Sequence, residues 1–329
     1  MKHAPKLALL VAAGMVSAGA NAASIEIGDD TTMALEGEFN ARYLALDTVD
    51  TTLNTTGSPD VEPVEDNRDD LQGALEFELS AVRSFDNFDA YISAIFEFTT
   101  LEDGGSDLGS DEAVAGIEGD FGQIELGHTD SVYEDLIHDA VDPFEEATLA
   151  DSSIGLDEDA MITYYSPDLN GFSINLQLGI EDEAQNGVNE SEESLIVSAA
   201  YDFGAGAFHV GYDDLGTNAD SSDEIVGLAA VFNLGDAAEL ALNHEMETDG
   251  GVDTDYTGLA LTFDFGPGNV YGALKEVSPD AGSSQTQYAV GADYDIESDF
   301  KIYAELANFD GQADDDADSL MVVGTEYKF

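Results

Sequence analysis

Cysteine and tryptophan are both missing from this chain, and lysine and arginine together number only eight against 71 aspartates and glutamates. Without cysteine there are no disulfide staples of the kind that hold small exported domains together, so the fold must close on its own sheet. The shortage of cations leaves a formal net charge of −63. That excludes nucleic acid as a partner, because a phosphate backbone is held by Lys and Arg. Beyond the first two dozen residues no apolar run approaches the roughly 18 residues a membrane helix needs. Membrane residence must then be through strands, whose backbone groups are satisfied only if the sheet closes. Signatures of catalysis and metal binding are also absent. The five histidines (His3, His128, His138, His209, His244) are scattered with no HExxH motif, and read as isolated polar residues rather than a zinc site. No GxSxG appears, and acid pairs arise by chance among so many carboxylates. The run Asp314-Asp315-Asp316-Ala317-Asp318 lacks the glycine and the bidentate glutamate of a calcium loop and reads as a solvated loop. No enzyme, cofactor or metal is expected.

What is present begins with an export signal. Lys2, His3 and Lys6 precede an apolar stretch from Leu7 to Ala18 and the small-residue site Ala20-Asn21-Ala22, so residues 1–22 read as a cleaved leader and 23–329 as the mature domain. Two lysines leave with the leader. In the loops the acids stand one to three residues apart, about 3–10 Å along an extended chain, inside the ~10 Å screening length of 0.1 M salt but mostly outside the ~3 Å length of 1 M salt. A halophilic source is expected, since self-repulsion of this size strains a compact state at low ionic strength. The same charge also attracts cations, and the two explanations are not exclusive.

The rest of the chain falls into sixteen short segments with apolar residues at every second position. In one of them Phe172, Ile174, Leu176, Leu178 and Ile180 alternate with Ser173, Asn175, Gln177 and Gly179. Successive side chains of a strand point to opposite faces, so one face is greasy and the other wet. Strands are expected at 33–46, 70–82, 89–99, 111–118, 123–128, 161–166, 172–180, 194–203, 207–213, 224–233, 239–247, 255–265, 269–277, 285–295, 301–309 and 319–329. Seven short turns alternate with eight longer connections: 47–69, 100–110, 129–160, 181–193, 214–223, 248–254, 278–284 and 310–318. This is the arithmetic of an all-β, sixteen-stranded antiparallel barrel with both ends on the short-turn side. A nine-residue strand at ~3.3 Å per residue, tilted about 40°, rises roughly 23 Å, close to the ~25 Å apolar band of such barrels.

Residues such as Leu79, Ile92, Leu228, Leu261, Phe263 and Val290 are assigned to the lipid, with Tyr and Phe alone forming the interfacial girdles. On the other parity lie Glu36, Glu38, Arg42, Glu76, Glu78, Gln287, Lys301 and Glu305. So many charges cannot fill a dry core, whereas a barrel of this size leaves an aqueous lumen.

Three stretches resemble the trimeric general-diffusion porins of Gram-negative outer membranes. Residues 119–128, reading Gly-Asp-Phe-Gly-Gln-Ile-Glu-Leu-Gly-His, look like the turn and fifth strand that lead into the porin constriction loop. Residues 164–172, Tyr-Tyr-Ser-Pro-Asp-Leu-Asn-Gly-Phe, are similar to the strand, turn and strand that follow it. The final Val322 to Phe329 is similar to the closing strand, whose last aromatic residue belongs to the outer-membrane assembly signal, a role the resemblance gives to Phe329. It further implies that the longest loop, 129–160, folds inward and narrows the pore, with Asp142, Glu145 and Glu146 at the narrowing and Glu134, Asp135 and Asp139 beside it. Relatives set arginines on the opposite wall. Here His128 and Asp111-Glu112 stand at two of those positions, leaving Arg42, Arg68 and Arg83 with Glu112 and His128 as the expected pore wall.

The expectation is an outer-membrane channel that passively conducts water, ions and small hydrophilic solutes, prefers cations, and assembles as a homotrimer in lipid with the help of the outer-membrane assembly machinery. Gly37, Ala41 and Ala45 on the outward face of the first strand permit close packing of protomers or simply face lipid. Two rivals stand beside it: a substrate-selective channel of the same fold, and a secreted acidic β-sandwich adhesin or binding protein that never enters a membrane.

Overall fold

Period-2 alternation gives each segment two faces of opposite polarity, and only a sheet with no edge satisfies every backbone group while showing one face to hydrocarbon. The computed structural model describes residues 23–27, 30–50, 64–99, 108–152, 160–183, 190–214, 224–249, 251–309 and 319–329. In chain order the elements are β1 (Ala23–Glu26), β2 (Thr31–Asp50), β3 (Val64–Ser84), β4 (Phe88–Thr99), β5 (Leu108–Gly119), β6 (Gly122–His128), a one-turn helix α1 (Glu134–Ile137), β7 (Ala160–Tyr165), β8 (Phe172–Glu183), β9 (Glu190–Asp202), β10 (Gly206–Asp214), β11 (Glu224–Asn233), β12 (Ala238–Asp249), β13 (Val252–Asp264), β14 (Asn269–Pro279), β15 (Gln285–Glu297), β16 (Phe300–Asn308) and β17 (Ser319–Lys328). From β2 to β17 each strand pairs antiparallel with the next, and β17 returns to β2 with Lys328 opposite Glu38 and Ser319 opposite Asp47. Sixteen strands therefore close into one barrel.

The short β1 was not expected. It pairs with β2 from Ala23 opposite Leu35 to Glu26 opposite Thr32, continuing the column that β17 leaves unfinished. The seam between them is held by Phe329 and Gly37, which exchange two backbone hydrogen bonds of 2.8 and 2.9 Å. The ring of Phe329 lies over Gly37, edge-on to Phe77 at 6.3 Å and stacked on Tyr327 at 6.0 Å. A methyl group at position 37 would strike that ring.

Strands run further toward the long-loop end than the pattern indicated. β2 and β3 have 20 and 21 residues, and at the same tilt such strands rise roughly 50 Å, about twice the ~25 Å apolar band. The connection expected at 248–254 shrinks because Asp249 already faces Val252 across the ladder. Turn chemistry hid this: acids and glycines that read as loop are strand residues standing beyond the bilayer. The acidic run 314–318 lies outside the described residues.

The outer face carries Leu79, Ile92, Leu228, Leu261, Phe263 and Val290, all exposed, as lipid contact requires. So continuous an apolar surface is untenable in water. Rings gather at the short-turn end, where Phe85 stacks on Phe88 at 4.8 Å and Phe203, Phe208 and Phe232 pack together. No helix among the described residues is long and apolar enough to cross a membrane, which says nothing against strands doing so.

Candidate functional site

The segment 129–152 leaves β6 and touches the inward-parity side chains of β8, β10 to β16 and β2 in turn. A loop that meets strands so far around the ring can only lie inside it. Little of it is helical, so its backbone groups need partners elsewhere. The wall supplies them. Gln177 accepts from the Val132 N–H at 3.1 Å and donates to the Asp130 carbonyl at 2.8 Å. Gln287 accepts from the Ala150 N–H at 2.8 Å. Glu305 of β16 takes three consecutive backbone N–H groups, from Glu145 at 2.8 Å and from Glu146 and Ala147 at 3.0 Å, and the Tyr271 hydroxyl at 2.9 Å. A buried carboxylate with four donors is fully satisfied and fixes the turn at the loop tip.

Beneath the loop the wall is dry. Val132, Tyr133, Leu136 and Ile137 pack on Tyr165, Ile196, Ala200, Ile225 and Ala229. Gly211 and Gly227 lie under that patch, where a Cβ at either would collide with Tyr133 or Ile137. Further along, Val141, Phe144, Ala147 and Leu149 rest on a row of inward alanines placed in direct register on five successive strands: Ala241, Ala260, Ala273, Ala289 and Ala307. Each small side chain keeps the wall shallow, so the loop lies flat against it. The aqueous lumen therefore shares the inner face with a packed seat for the loop.

The predicted acids of the narrowing are brought to the loop tip, and wall cations meet them. Glu146 pairs with Arg42 of β2, and Glu145 pairs with Lys301 of β16 at 2.6 Å. Lys301 also reaches Glu326 at 2.7 Å, and Lys328 joins Glu326 to Glu38 at 2.9 and 3.3 Å. Asp142 accepts from the Phe144 N–H at 3.0 Å and shapes the turn; burial raises its carboxyl above the usual range although Phe144 and Thr148 pull it down. Burial, with Glu305 and Glu145 nearby, pushes Glu146 up to about 7 in spite of Arg42. The other three expected acids sit at the loop start. Glu134 and Asp135 form the first turn of α1, and burial followed by the charges of Asp139, Asp130, Glu134 and Glu112 holds Asp135 well above the carboxylate range.

Two members of the expected pore wall face elsewhere. Arg83 lies opposite Thr31 on the outward parity, exposed at the short-turn end, with its guanidinium 5.2 Å from the Phe85 ring. His128 lies opposite Ala113 and Ala160, both on the exposed side, so it also belongs to the outer face. The ladder sets both positions, because directly paired residues share a face. Arg68 sits in β3 opposite Leu46; its side chain lies outside the described residues. Glu112 does face inward, toward Asp135 and Tyr165.

On β2, β3 and β4, beside Arg42, the inward face carries a ladder of carboxylates. Glu36 is paired with Glu78, Glu38 with Glu76, and Glu76 with Glu97, all on the inward parity of β2, β3 and β4. Like charges directly opposite one another destabilise a sheet unless water and counter-ions reach them.

A last cluster was not foreseen. His138, read as isolated, is buried with Ser152 and Tyr133 of the loop, beside half-buried Asp151, against Glu245 and Asn243 of β12 and Lys275 of β14. Three donor atoms of His138, Asp151 and Glu245 come within 4.8 Å of one another. Lys275 already pairs with Asp151 and stands 3.5 Å from Glu245, so an ammonium fills the space an ion would need.

A closed sixteen-stranded sheet, a loop folded inside it and an apolar outer belt agree with the comparisons to known proteins. The family model described as Gram-negative porin matches residues 7–329. The chain belongs to the Gram-negative porin family. The porin family and this fold are those of channel proteins, not of enzymes. Two curated relatives, a monosaccharide porin of a Halomonas species and the major outer membrane protein of Halomonas elongata, are each 26% identical over 223 residues, which is 64% of this chain. The aligned region spans 58% of the length of those relatives. Among solved structures, Salmonella typhi OmpF in complex with daunomycin aligns with a TM-score of 0.71 and 15% identity, covering 93% of this chain and all of that one. A Rhodopseudomonas blastica porin mutant aligns at 0.67 with 14% identity over 90% of this chain and all of its own. The closed barrel and the family exclude the secreted sandwich rival.

Proposed function

We propose that this porin passes ions and small hydrophilic solutes down their gradients and prefers cations, and that the preference comes from its carboxylate ladder more than from its loop. The observation that carries this is the density of like charge on one wall: Glu36 stands directly across the ladder from Glu78, Glu38 from Glu76 and Glu76 from Glu97, while Glu145 and Glu146 at the loop tip meet Lys301 and Arg42. Carboxylates lining a wet pore draw cations in and repel anions. Glu134 and Asp139 add to the negative field on the loop side, to which Asp135 and Asp142, both raised by burial, contribute less.

Several further assignments accompany this reading. Residues 1–22 act as the export signal, and the ring of Phe329 at the seam serves as the assembly signal. Outward Ala41 and Ala45, close to the seam, suit the packing of three protomers. The acid excess and the Halomonas relatives support a source in brine. A second reading follows from the name of one relative: a neutral solute the size of a monosaccharide crosses the same lumen. Purified protein in a planar bilayer under a KCl gradient tests the main reading. Stepwise conductance with a cation-type reversal potential is expected; silent bilayers defeat the channel, and an anion-type potential defeats the selectivity. Swelling of protein-loaded liposomes in monosaccharide tests the second.

A further inference from the structure

We infer that a proton on His138 locks the pore loop to the barrel wall, and that the loop loosens when this proton is lost. The inference rests on the channel reading above. Its basis is a charge count inside a closed crevice. Glu245 has no exposed surface and Lys275 is 2% exposed. Glu245 Oε2 meets His138 Nε2 at 2.8 Å, the Tyr133 hydroxyl at 3.1 Å and the Ser152 hydroxyl, while its Oε1 accepts from Asn243 at 2.9 Å.

Within this set two carboxylates, Glu245 and Asp151, face one ammonium, Lys275. The surrounding elements deepen the deficit. Asp213 of β10 acts on Tyr133, Asp142 of the loop acts on Lys275, and Glu247 of β12 bonds Tyr256 beside Glu245. A neutral imidazole would leave a buried negative charge without compensation, which is the expensive state for an ion cluster out of water. An imidazolium closes the balance of the inner set, donates to Glu245 from Nε2, and lies 5.4 Å edge-on to the Tyr133 ring.

Geometry makes the lock mechanical as well as electrostatic. His138 directly follows α1, and the Asn243 amide that serves Glu245 also donates to the Ile137 carbonyl at 3.3 Å. At the other end of the same loop Ser152 donates to the same carboxylate, and Asp151 pairs with Lys275 beside it. One buried charge therefore fastens both limbs, and loss of the His138 proton weakens both together.

Single-channel recording between acidic and alkaline pH tests this. Wild-type channels are expected to be quiet at low pH and to gain a severalfold rise in open-channel noise as pH increases. His138→Gln should be noisy at every pH, with the pH step gone. Glu245→Gln, which removes the charge the proton balances, should also lose the step. If His138→Gln fails to assemble, Glu245→Gln decides alone: loss of the step supports the lock and its persistence overturns it. A conducting wild type with no pH step, or a step unchanged in either variant, overturns the lock while leaving the channel intact, whereas a wild type that never conducts defeats the channel reading instead.

Discussion

The two halves of the inner wall are built from the same kind of strand and do opposite things. From β8 to β16 the inward positions carry glycine, alanine, apolar side chains and a few long polar ones, and a loop covers them. From β2 to β4 they include five glutamates in register, none of them buried. Small residues let a segment lie close and exclude water, so the polar groups that remain must each find a partner, as Gln177, Gln287 and Glu305 do. Glutamates in register need water. Three of the chain's few cations follow the same division, Arg42, Lys275 and Lys301 each holding an acid of the loop, while Lys328 reaches Glu38 on the other side. Scarce positive charge is thus used to seat the loop, and the open side is left negative.

The contrast breaks most severely at Glu305. Glu305→Ala leaves three backbone N–H groups and the Tyr271 hydroxyl without their acceptor, about 1–3 kcal/mol for each buried donor, so the loop tip should leave its seat. Limited proteolysis of the folded barrel should then cut within 129–152, where the wild type resists. Replacing Glu36, Glu38, Glu76, Glu78 and Glu97 together by Gln acts on the other half; the barrel should persist, and its reversal potential in a KCl gradient should fall most of the way to zero. Filling the shelf is a smaller change. Ala260→Leu overpacks the alanine row by about 1–3 kcal/mol, which a lowered heat-modifiability midpoint on gels would register.

The smallest expected effect concerns pH. Glu146 has a folded-state value of about 7, above its ordinary 4.5. A raised carboxylate favours the seated loop while protonated, and that contribution is lost as pH rises through about 7. Conversely, as pH falls through 7 Glu146 takes up a proton, Arg42 loses its counter-charge, and cation preference weakens by roughly one charge. Glu146→Gln should remove this step from the pH dependence of the reversal potential.

The barrel was legible in the sequence because alternation is local: Phe172 to Ile180 announce their faces without reference to any other strand. Closure, strand number and the inward loop followed from turn spacing and from the porin-like stretches. The seat was not legible. Glu305 and Glu145 lie 160 residues apart, and no spacing rule links them. The alanine row leaves a faint trace, one small residue on the inward parity of each of five strands, but alanine fits either face of an alternating pattern. Arg83 and His128 were misplaced for a different reason. Alternation alone puts Arg83 on the face of Phe77 and Leu79 and His128 on that of Ile124 and Leu126, and the pore-wall assignment set that parity aside.

Because the chain has no cysteine, the division between a dry and a wet wall can be read directly with single thiols and a charged, membrane-impermeant maleimide. Glu76→Cys and Glu97→Cys on the carboxylate ladder should be modified quickly in the folded barrel, while Ala260→Cys and Ala289→Cys beneath the loop should react only after heating in detergent. Equal rates at all four positions would contradict the account.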